Sequence, residues 1–429
     1  MPATYRESGF EWVGPIPSEW AMSKIHVDYS VKLGKMVESE QVSLASSLHP
    51  YLCAANIKWA GIDTSVQKEM YFTPAELRDN LVREGDALIT EGGSIGTTCI
   101  YHGEFGECGI QNSVLRARGM TETHTRFLYY WLTLVENSGY LDSICNRATI
   151  AHYTKEKVDR TPIVRIPDSE LCVVVRLLDE KTAKYDKAGE LLEEQIETLE
   201  GYRKSLIQEA VTKGLDSTVG MKPSGIDWIG DMPIHWQLKK VKNISETRNG
   251  LDYVAEDVCG PDDAGATLVV RSSNLDGNGM VFDDCVYLNK RIPSALRLQK
   301  KDIVIVRTNG SRELVGKNAL VPENGIGTIG AFMLLCRTPY PRYLHWILNS
   351  QLFPRYLGTF ETSTVNQITN GNLRNMVVPF CPDSQERDLI CDYLDTKCAA
   401  VDRLIAGKRK QLETLRAQRQ SLIYEYVTG

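Results

Sequence analysis

The sequence predicts an α+β protein made by tandem duplication. A mixed α/β domain is followed by a long helix, both are repeated, and the two helices pair as an antiparallel coiled coil with pseudo-two-fold symmetry. Three observations predict it. First, residues 7–25 read ESGFEWVGPIPSEWAMSKI and residues 223–241 read PSGIDWIGDMPIHWQLKKV, so Gly9, Trp12, Gly14, Pro17 and Trp20 recur 216 positions later as Gly225, Trp228, Gly230, Pro233 and Trp236. Second, short β-rich runs separated by turn residues fill the opening part of each half. Third, a heptad stretch without proline fills the remainder.

The repeat extends along the whole chain of 429 residues. Asp86 recurs as Asp302, Leu128 as Leu344, Leu199 as Leu415, and Ser205-Leu206-Ile207 as Ser421-Leu422-Ile423. A period of this length exceeds that of solenoid repeats, so a whole domain pair is copied. The expected divisions are a first domain at 1–167, a helix at 168–213, a linker at 214–224, a second domain at 225–382 and a second helix at 383–429. Two similar halves suit a partner that is itself roughly two-fold, as duplex DNA is.

Within the domains, DALIT (86–90), SVLRARG (113–119), TLVVRSS (267–273) and DIVIVRT (302–308) read as strands. One short helix per half is expected, around Thr125–Leu134 and Arg342–Leu348, where Phe127, Tyr130, Trp131 and Leu134 fit one helical face. Trp12, Trp20, Trp228 and Trp236 recur together with glycine and proline, which marks them as packing residues.

After Pro167 the chain runs to Lys213 without proline. Leu178, Tyr185, Leu192, Leu199 and Leu206 stand seven apart, joined four residues on by Ile196 and Ala210 and, less favourably, by Thr182, Gly189 and Arg203. The second helix repeats the stripe as Leu394, Val401, Leu415 and Leu422, with Cys398, Ile405, Leu412 and Tyr426 beside it and Lys408 interrupting. Asp168-Ser169 and Asp383-Ser384 offer N-caps, and Gly214 stops the first helix. A helix of some 45 residues is about 68 Å long, more than one domain of this size can cover, so each helix is expected to pair with its copy. Antiparallel pairing would set the two domains at opposite ends of a rod and bring the C-terminus near the N-terminus.

Composition fits a soluble cytoplasmic protein, with 42% hydrophobic and 24% charged residues, no long apolar span and no basic leader followed by an apolar run. Eleven cysteines lack CxxC pairs, which argues for reduced thiols rather than disulfides or zinc. The net charge of −6 taken alone counts against nucleic acid. It is uneven, however: residues 222–383 hold 18 Lys/Arg against 16 Asp/Glu, and residues 1–168 hold 16 against 21. DNA binding would therefore use a local patch or a basic partner.

Among catalytic motifs, neither HExxH nor the methyltransferase DPPY or NPPY is present. Gly310 to Lys317 imitates a phosphate loop, but its spacer is one residue too long and Asn318 replaces the magnesium-binding Ser/Thr. Pro382-Asp383 with Glu386 loosely echoes a nuclease motif at what is better read as a helix cap. The seven histidines have no metal-ligand spacing, so no metal and no cofactor of its own are expected.

Three pairs of polar loops occupy matching places in the two halves and offer base-reading chemistry. One pair contributes Asn56 and Lys58 in the first half and Arg271 and Asn274 in the second. Another contributes Ser94, matched by Arg307, Asn309, Ser311 and Arg312. The last contributes Arg147, Thr149 and His152, matched by Thr364, Asn366 and Gln367. Arginine pairs with guanine edges, Asn and Gln with adenine edges, and Ser, Thr and backbone amides with phosphates. Asn, Gly and Ser also simply build turns, and this reading stands beside the first at every position.

The G-x-x-W-[VI]-G-x-[IM]-P-x-x-W opening of each half resembles the start of each half of specificity subunits of type I restriction-modification enzymes. So do the G-D-[AIV]-[LV]-[IV] strand with its Gly-Ser loop and the helix ending Leu206-Ile-Gln-Glu-Ala-Val-Thr-Lys-Gly214. The resemblance covers the chain. It implies two target-recognition domains, each reading one half of a split double-stranded DNA target, and two spacer helices that set their distance. It also implies docking of two methyltransferase subunits, which use S-adenosylmethionine, and of two restriction subunits. The first half departs from the second in having Gly85 where Lys301 stands, and no basic equivalents of Arg307 and Arg312. The competing reading is a coiled-coil interaction scaffold that does not touch DNA.

Overall fold

The computed structural model describes residues 4–145, 151–277, 279–322, 327–359 and 367–429. The chain separates into two compact units, one made of residues 1–193 and 410–429 and the other of residues 194–409. Neither unit is a sequence repeat. Each takes a domain and the first part of the helix that follows it, then adds the last turns of the helix belonging to the other repeat.

In the first unit an antiparallel sheet runs Thr98–Ile100, Ala87–Thr90, Val114–Gly119, Tyr29–Leu33. Beside it Ser47–Leu52 pairs antiparallel with Glu69–Phe72 and parallel with Gly109–Ile110. The helix Glu122–Asn137 covers the larger sheet with Phe127, Leu128, Tyr130 and Trp131, all buried. It is longer than the apolar stripe predicts because Thr121 caps it one turn earlier, accepting from the His124 amide. Further short helices at Pro74–Asn80, Tyr140–Ile144 and Lys155–Arg160 were not expected; each is under two turns, too short for periodicity to register.

The second unit repeats this plan. Asn318–Leu320, Ile303–Val306, Met333–Arg337 and Glu246–Asn249 form its antiparallel sheet in the matching order. Thr267–Val270 pairs antiparallel with Val286–Leu288 and parallel with Thr328–Ile329. The helix Pro341–Leu348 covers the sheet. An ion pair on a buried aspartate fastens the equivalent strands in both copies: Arg118 Nη2, half-buried, lies 2.8 Å from Asp86, and Arg337 Nη2, likewise half-buried, lies 2.7 Å from Asp302. The segment read as a linker is partly a strand, Met221–Pro223 pairing with Asp231–Pro233. It is three residues long and proline-ended, which hides it from sequence patterning.

A two-stranded ribbon closes each domain just before its long helix: Ala21–Lys24 with Pro162–Arg165, and Gln237–Lys240 with Val377–Phe380. The long helices then run Asp168–Lys213 and Ser384–Thr428. Asp383 caps the second, accepting from the Gln385 amide at 2.9 Å, whereas Asp168 lies inside the first helix with its carboxylate 3.5 Å from His124. Gly214 ends the first with φ +74°, a left-handed turn that a residue with a Cβ adopts at a cost.

The helices pack antiparallel within each unit. In the first, Leu171, Val175 and Leu178 share a core with Ile423 and Val427, while Leu412 and Leu415 come up to Gly189. Arg419 meets Asp186, and Arg416 meets Glu193, each at 2.7 Å. In the second, Leu206 clusters with Val401 and Ile405, flanked by Ile196 and Leu199, and Arg203 meets Asp402 at 2.7 Å. Leu394 belongs to that unit's main core together with Ile207, Ala210 and Val211. Tyr185, Leu192 and Leu422 are half-buried. The stripe thus serves two ends at once, packing on a domain near the helix termini and helix on helix further in. At the chain's end, Gly429 sits against Pro17 and Trp20, which places the C-terminus beside the N-terminal hairpin.

Candidate nucleic-acid interface

Each unit gathers the loops that sequence spacing paired. In the second unit the turn Ser272–Asn274 follows strand Thr267–Val270, and the Asn274 side chain holds it. Its amide oxygen accepts from the Arg271 N–H at 2.9 Å, and its amide nitrogen donates to Asp284 O at 3.0 Å and Val281 O at 3.3 Å. Asn56 does the same work in the first unit, accepting from the Cys53 N–H at 3.0 Å and donating to Asp63 O and Val66 O at 2.9 and 2.8 Å. Both asparagines are buried, with donors and acceptors satisfied internally. They shape the turn; their side chains are not presented to a base.

The second loop of this unit is tied to the other two. Asn309 donates to Ser272 Oγ at 3.4 Å, joining it to the first. Thr308 bridges Gln367, the Ile368 N–H donates to Arg307 O at 2.9 Å, and the Gln367 amide oxygen accepts from Arg307 Nη2 at 2.9 Å, joining it to the third. Beneath them, Arg307 N–H and Thr308 N–H both donate to Phe332 O, at 2.8 and 3.2 Å. Arg307 is half-buried and held in a fixed direction, its Nη1 also donating to Ala331 O at 3.3 Å. Ser311 and Arg312 lie exposed at the loop tip. Arg271 is engaged by Asp284 at 2.7 Å, and its Nε is buried without a hydrogen bond.

In the first unit the loops meet around Ser113, which takes the place of Phe332. Ala54 N–H donates to Ser113 Oγ at 3.0 Å, Glu91 N–H to Ser113 O at 2.9 Å, and Tyr153 N–H to Glu91 O at 2.8 Å. The His152 ring lies beside Gly92, 3.4 Å from where a Cβ would stand. Lys58, Ser94 and His152 are exposed. Arg147, Thr149, Thr364 and Asn366 lie outside the described residues.

The two clusters differ most at one position. Glu91 stands where Arg307 stands, each donating its backbone N–H to the matched residue below, Ser113 or Phe332. Burial pushes the Glu91 carboxyl above the ordinary carboxylate range, with His152 acting against the shift. A guanidinium suits guanine, and a carboxylate accepts from the cytosine amino group. Phe332 is absent from the residues singled out by sequence, and Glu91 enters there only as a member of the loop that carries Ser94. Phe332 lies in the apolar run Ala331-Phe332-Met333-Leu334-Leu335, which reads as buried strand, yet it is 67% exposed. Its place in the turn ahead of strand Met333–Arg337, whose Met333, Leu334 and Leu335 are all buried, brings it to the loop side.

No family model matches the chain. The type I restriction enzyme MjaVIII specificity subunit of Methanocaldococcus jannaschii is 23% identical over 443 aligned residues, covering 99% of this chain and 96% of that one. The StySPI specificity subunit of Salmonella potsdam is 23% identical over 205 residues, 47% of this chain. Among solved structures, a chain from a study of complex assembly and conformational transition of the type I R-M system has a TM-score of 0.69 at 14% identity, covering 96% of this chain and 99% of that one. The chain is thus similar along its whole length to type I specificity subunits and has the fold of that solved chain.

Proposed function

We propose that this chain is the specificity subunit of a type I restriction-modification complex, a DNA-recognition component without catalysis of its own. The observation that carries the reading is the matched convergence of three loops in each unit, on a chain collinear from end to end with specificity subunits. Each unit reads one half of a bipartite duplex target through its loop cluster. The half-sites differ because the clusters differ, Arg307, Arg312 and Phe332 in one, Glu91, Lys58 and His152 in the other. The paired long helices set the distance between half-sites and receive two methyltransferase subunits, which carry S-adenosylmethionine; restriction subunits join through them. Among the described residues no helix is long and apolar enough to cross a membrane, and a cytoplasmic DNA partner accords with that.

The mild acidity of the first unit is tolerable if methyltransferase subunits supply the basic clamp on the phosphates. The test is a gel shift with cognate methyltransferase subunits, followed by sequencing of methylated sites in the host. The expected outcome is retardation that requires both components and one split motif methylated in vivo. Assembly with partner proteins but indifference to DNA would favour the scaffold reading. A methylation or cleavage product from the isolated chain would overturn the non-catalytic assignment.

A further inference from the structure

His235, Cys381 and Glu386 come from three separate elements of the second unit. His235 follows the strand Asp231–Pro233, Cys381 directly follows the closing strand Val377–Phe380, and Glu386 lies in the first turn of the second long helix. Their ligating atoms all lie within 4.8 Å of one another. His235 Nε2 is 2.7 Å from Glu386 Oε2, and Cys381 Sγ is 3.1 Å from the same oxygen. The other carboxylate oxygen accepts from the Trp236 indole at 2.9 Å, which fixes the carboxylate plane and aims Oε2 at the other two groups. We propose that these three side chains form a binding site for a thiophilic divalent metal ion such as zinc, with solvent as the fourth ligand.

The donor set suits that ion. Imidazole, thiolate and carboxylate are the groups zinc takes, at ~2.0–2.3 Å each, so a tetrahedral site places neighbouring ligand atoms roughly 3.3–3.7 Å apart. The spacings of 2.7 and 3.1 Å fall just short of that range and the third is within 4.8 Å, so small rotations suffice. Thiolate and carboxylate together neutralise the dication, and binding releases the Cys381 thiol proton to solvent as the metal–sulfur bond forms. Cys381 is buried while His235 is exposed, giving a protected sulfur with an open side for entry and for a water. The Trp236 N–H on the ligating carboxylate is the kind of outer partner that orients a metal ligand.

The duplication supplies an internal control. Trp20 donates to Glu170 at 2.9 Å in the first unit, yet Glu19 stands in the place of His235. The closing strands pair Arg165 with Ala21 and Phe380 with Gln237, so Ile166 takes the place of Cys381. The tryptophan–glutamate bond therefore forms without a histidine or a thiol, and it does not account for the presence of both in the second unit. Sequence spacing could not find this site because its ligands are separated by 146 and 5 positions. Bound metal would tie the strand end, the turn and the helix start together and fix the angle at which the helix leaves its domain.

Cobalt(II) titrated into the chelator-treated full chain is the test. The expected result is one equivalent bound with a thiolate-to-cobalt charge-transfer band and tetrahedral ligand-field absorption. The band should be lost in Cys381→Ser, and affinity should fall at least tenfold in His235→Ala, whose exposed position leaves folding intact. Zinc should displace the cobalt and raise the melting temperature of the wild-type chain but not of His235→Ala. Absence of the band, its survival in Cys381→Ser, or unchanged affinity in His235→Ala would overturn the proposal.

Discussion

The indole N–H of Trp20 donates to Glu170 at 2.9 Å, bonding the hairpin that opens the first domain to the first turn of the helix that leaves it. Trp236 and Glu386 repeat the bond at 2.9 Å, each partner displaced by 216 positions. Both indoles are buried, so removing the carboxylate leaves a desolvated donor. Glu170→Ala is expected to destabilise the first unit by about 1–3 kcal/mol, read as a fall in its denaturant midpoint. Trp20→Phe with Glu170→Ala should cost less than the sum of the two single changes. Strict additivity in that cycle would mean the bond contributes nothing of its own.

The last turns of the second long helix complete the first unit. Ile423 and Val427 are fully buried against Leu171, Val175 and Trp20. Ile423→Ala should therefore destabilise the first unit by about 2–5 kcal/mol and leave the second unchanged. Amide hydrogen exchange separates the two responses. Accelerated exchange in the second unit alone would place the residue wrongly.

Arg307 and Phe332 are expected to act on the same half-site. Arg307→Ala should weaken specific binding by ~1–3 kcal/mol and relax preference at one base pair, if the guanidinium meets a base edge. Phe332→Ala should weaken the same half-site without altering the salt dependence, since an aromatic carries no charge to a phosphate. A uniform loss over all sequences with a shallower salt slope for Arg307→Ala would make it a phosphate contact. For Glu91 the expectation is a change in the other half-site alone.

His345 is buried beneath the second unit's sheet, its Nδ1 2.8 Å from Asn318 Oδ1. Burial pushes its pKa down to about 4, the nearby Asp395 opposing the shift. A histidine depressed in the folded state favours the neutral form there. The stability it permits is complete above its unfolded value near 6.5 and is lost as pH falls towards 4, by up to roughly 3 kcal/mol. His345→Gln should flatten the stability–pH curve of the second unit between those limits. An unchanged curve would remove this group as the cause.

Much of this was legible in the sequence because duplication made each feature appear twice. The helix over each sheet, both long helices and the strand runs fall where periodicity puts them, except that TLVVRSS is strand only over Thr267–Val270 and turns at Ser272–Asn274. What escaped was non-periodic or set by register. Asn56 and Asn274 have the residue type of a base reader, but the turn geometry that buries them depends on distant carbonyls. Phe332 faces the loops because it stands in the turn before a strand buried on both faces, and a continuous apolar run conceals where the turn ends and the strand begins. The exchange of helix ends within the first unit, by contrast, follows from the antiparallel pairing that the heptads predict, which brings Ile423 and Val427 into the core of Leu178.

On the proposed function, the paired helices set the separation of the half-sites. In the second unit Gln195 accepts from Lys408 and Glu200 pairs with Arg409, in the first Glu193 pairs with Arg416, and the matched heptads of the two helices are Leu192–Thr198 and Lys408–Thr414. Deleting both keeps the antiparallel register and shortens each helix by roughly 10 Å. The decisive measurement is the methylated motif of a host carrying the doubly shortened chain with its methyltransferase subunits. The same two half-sites are predicted, separated by a gap up to about three base pairs shorter at ~3.4 Å each. A doubly shortened chain that assembles and methylates the original spacing would contradict the claim.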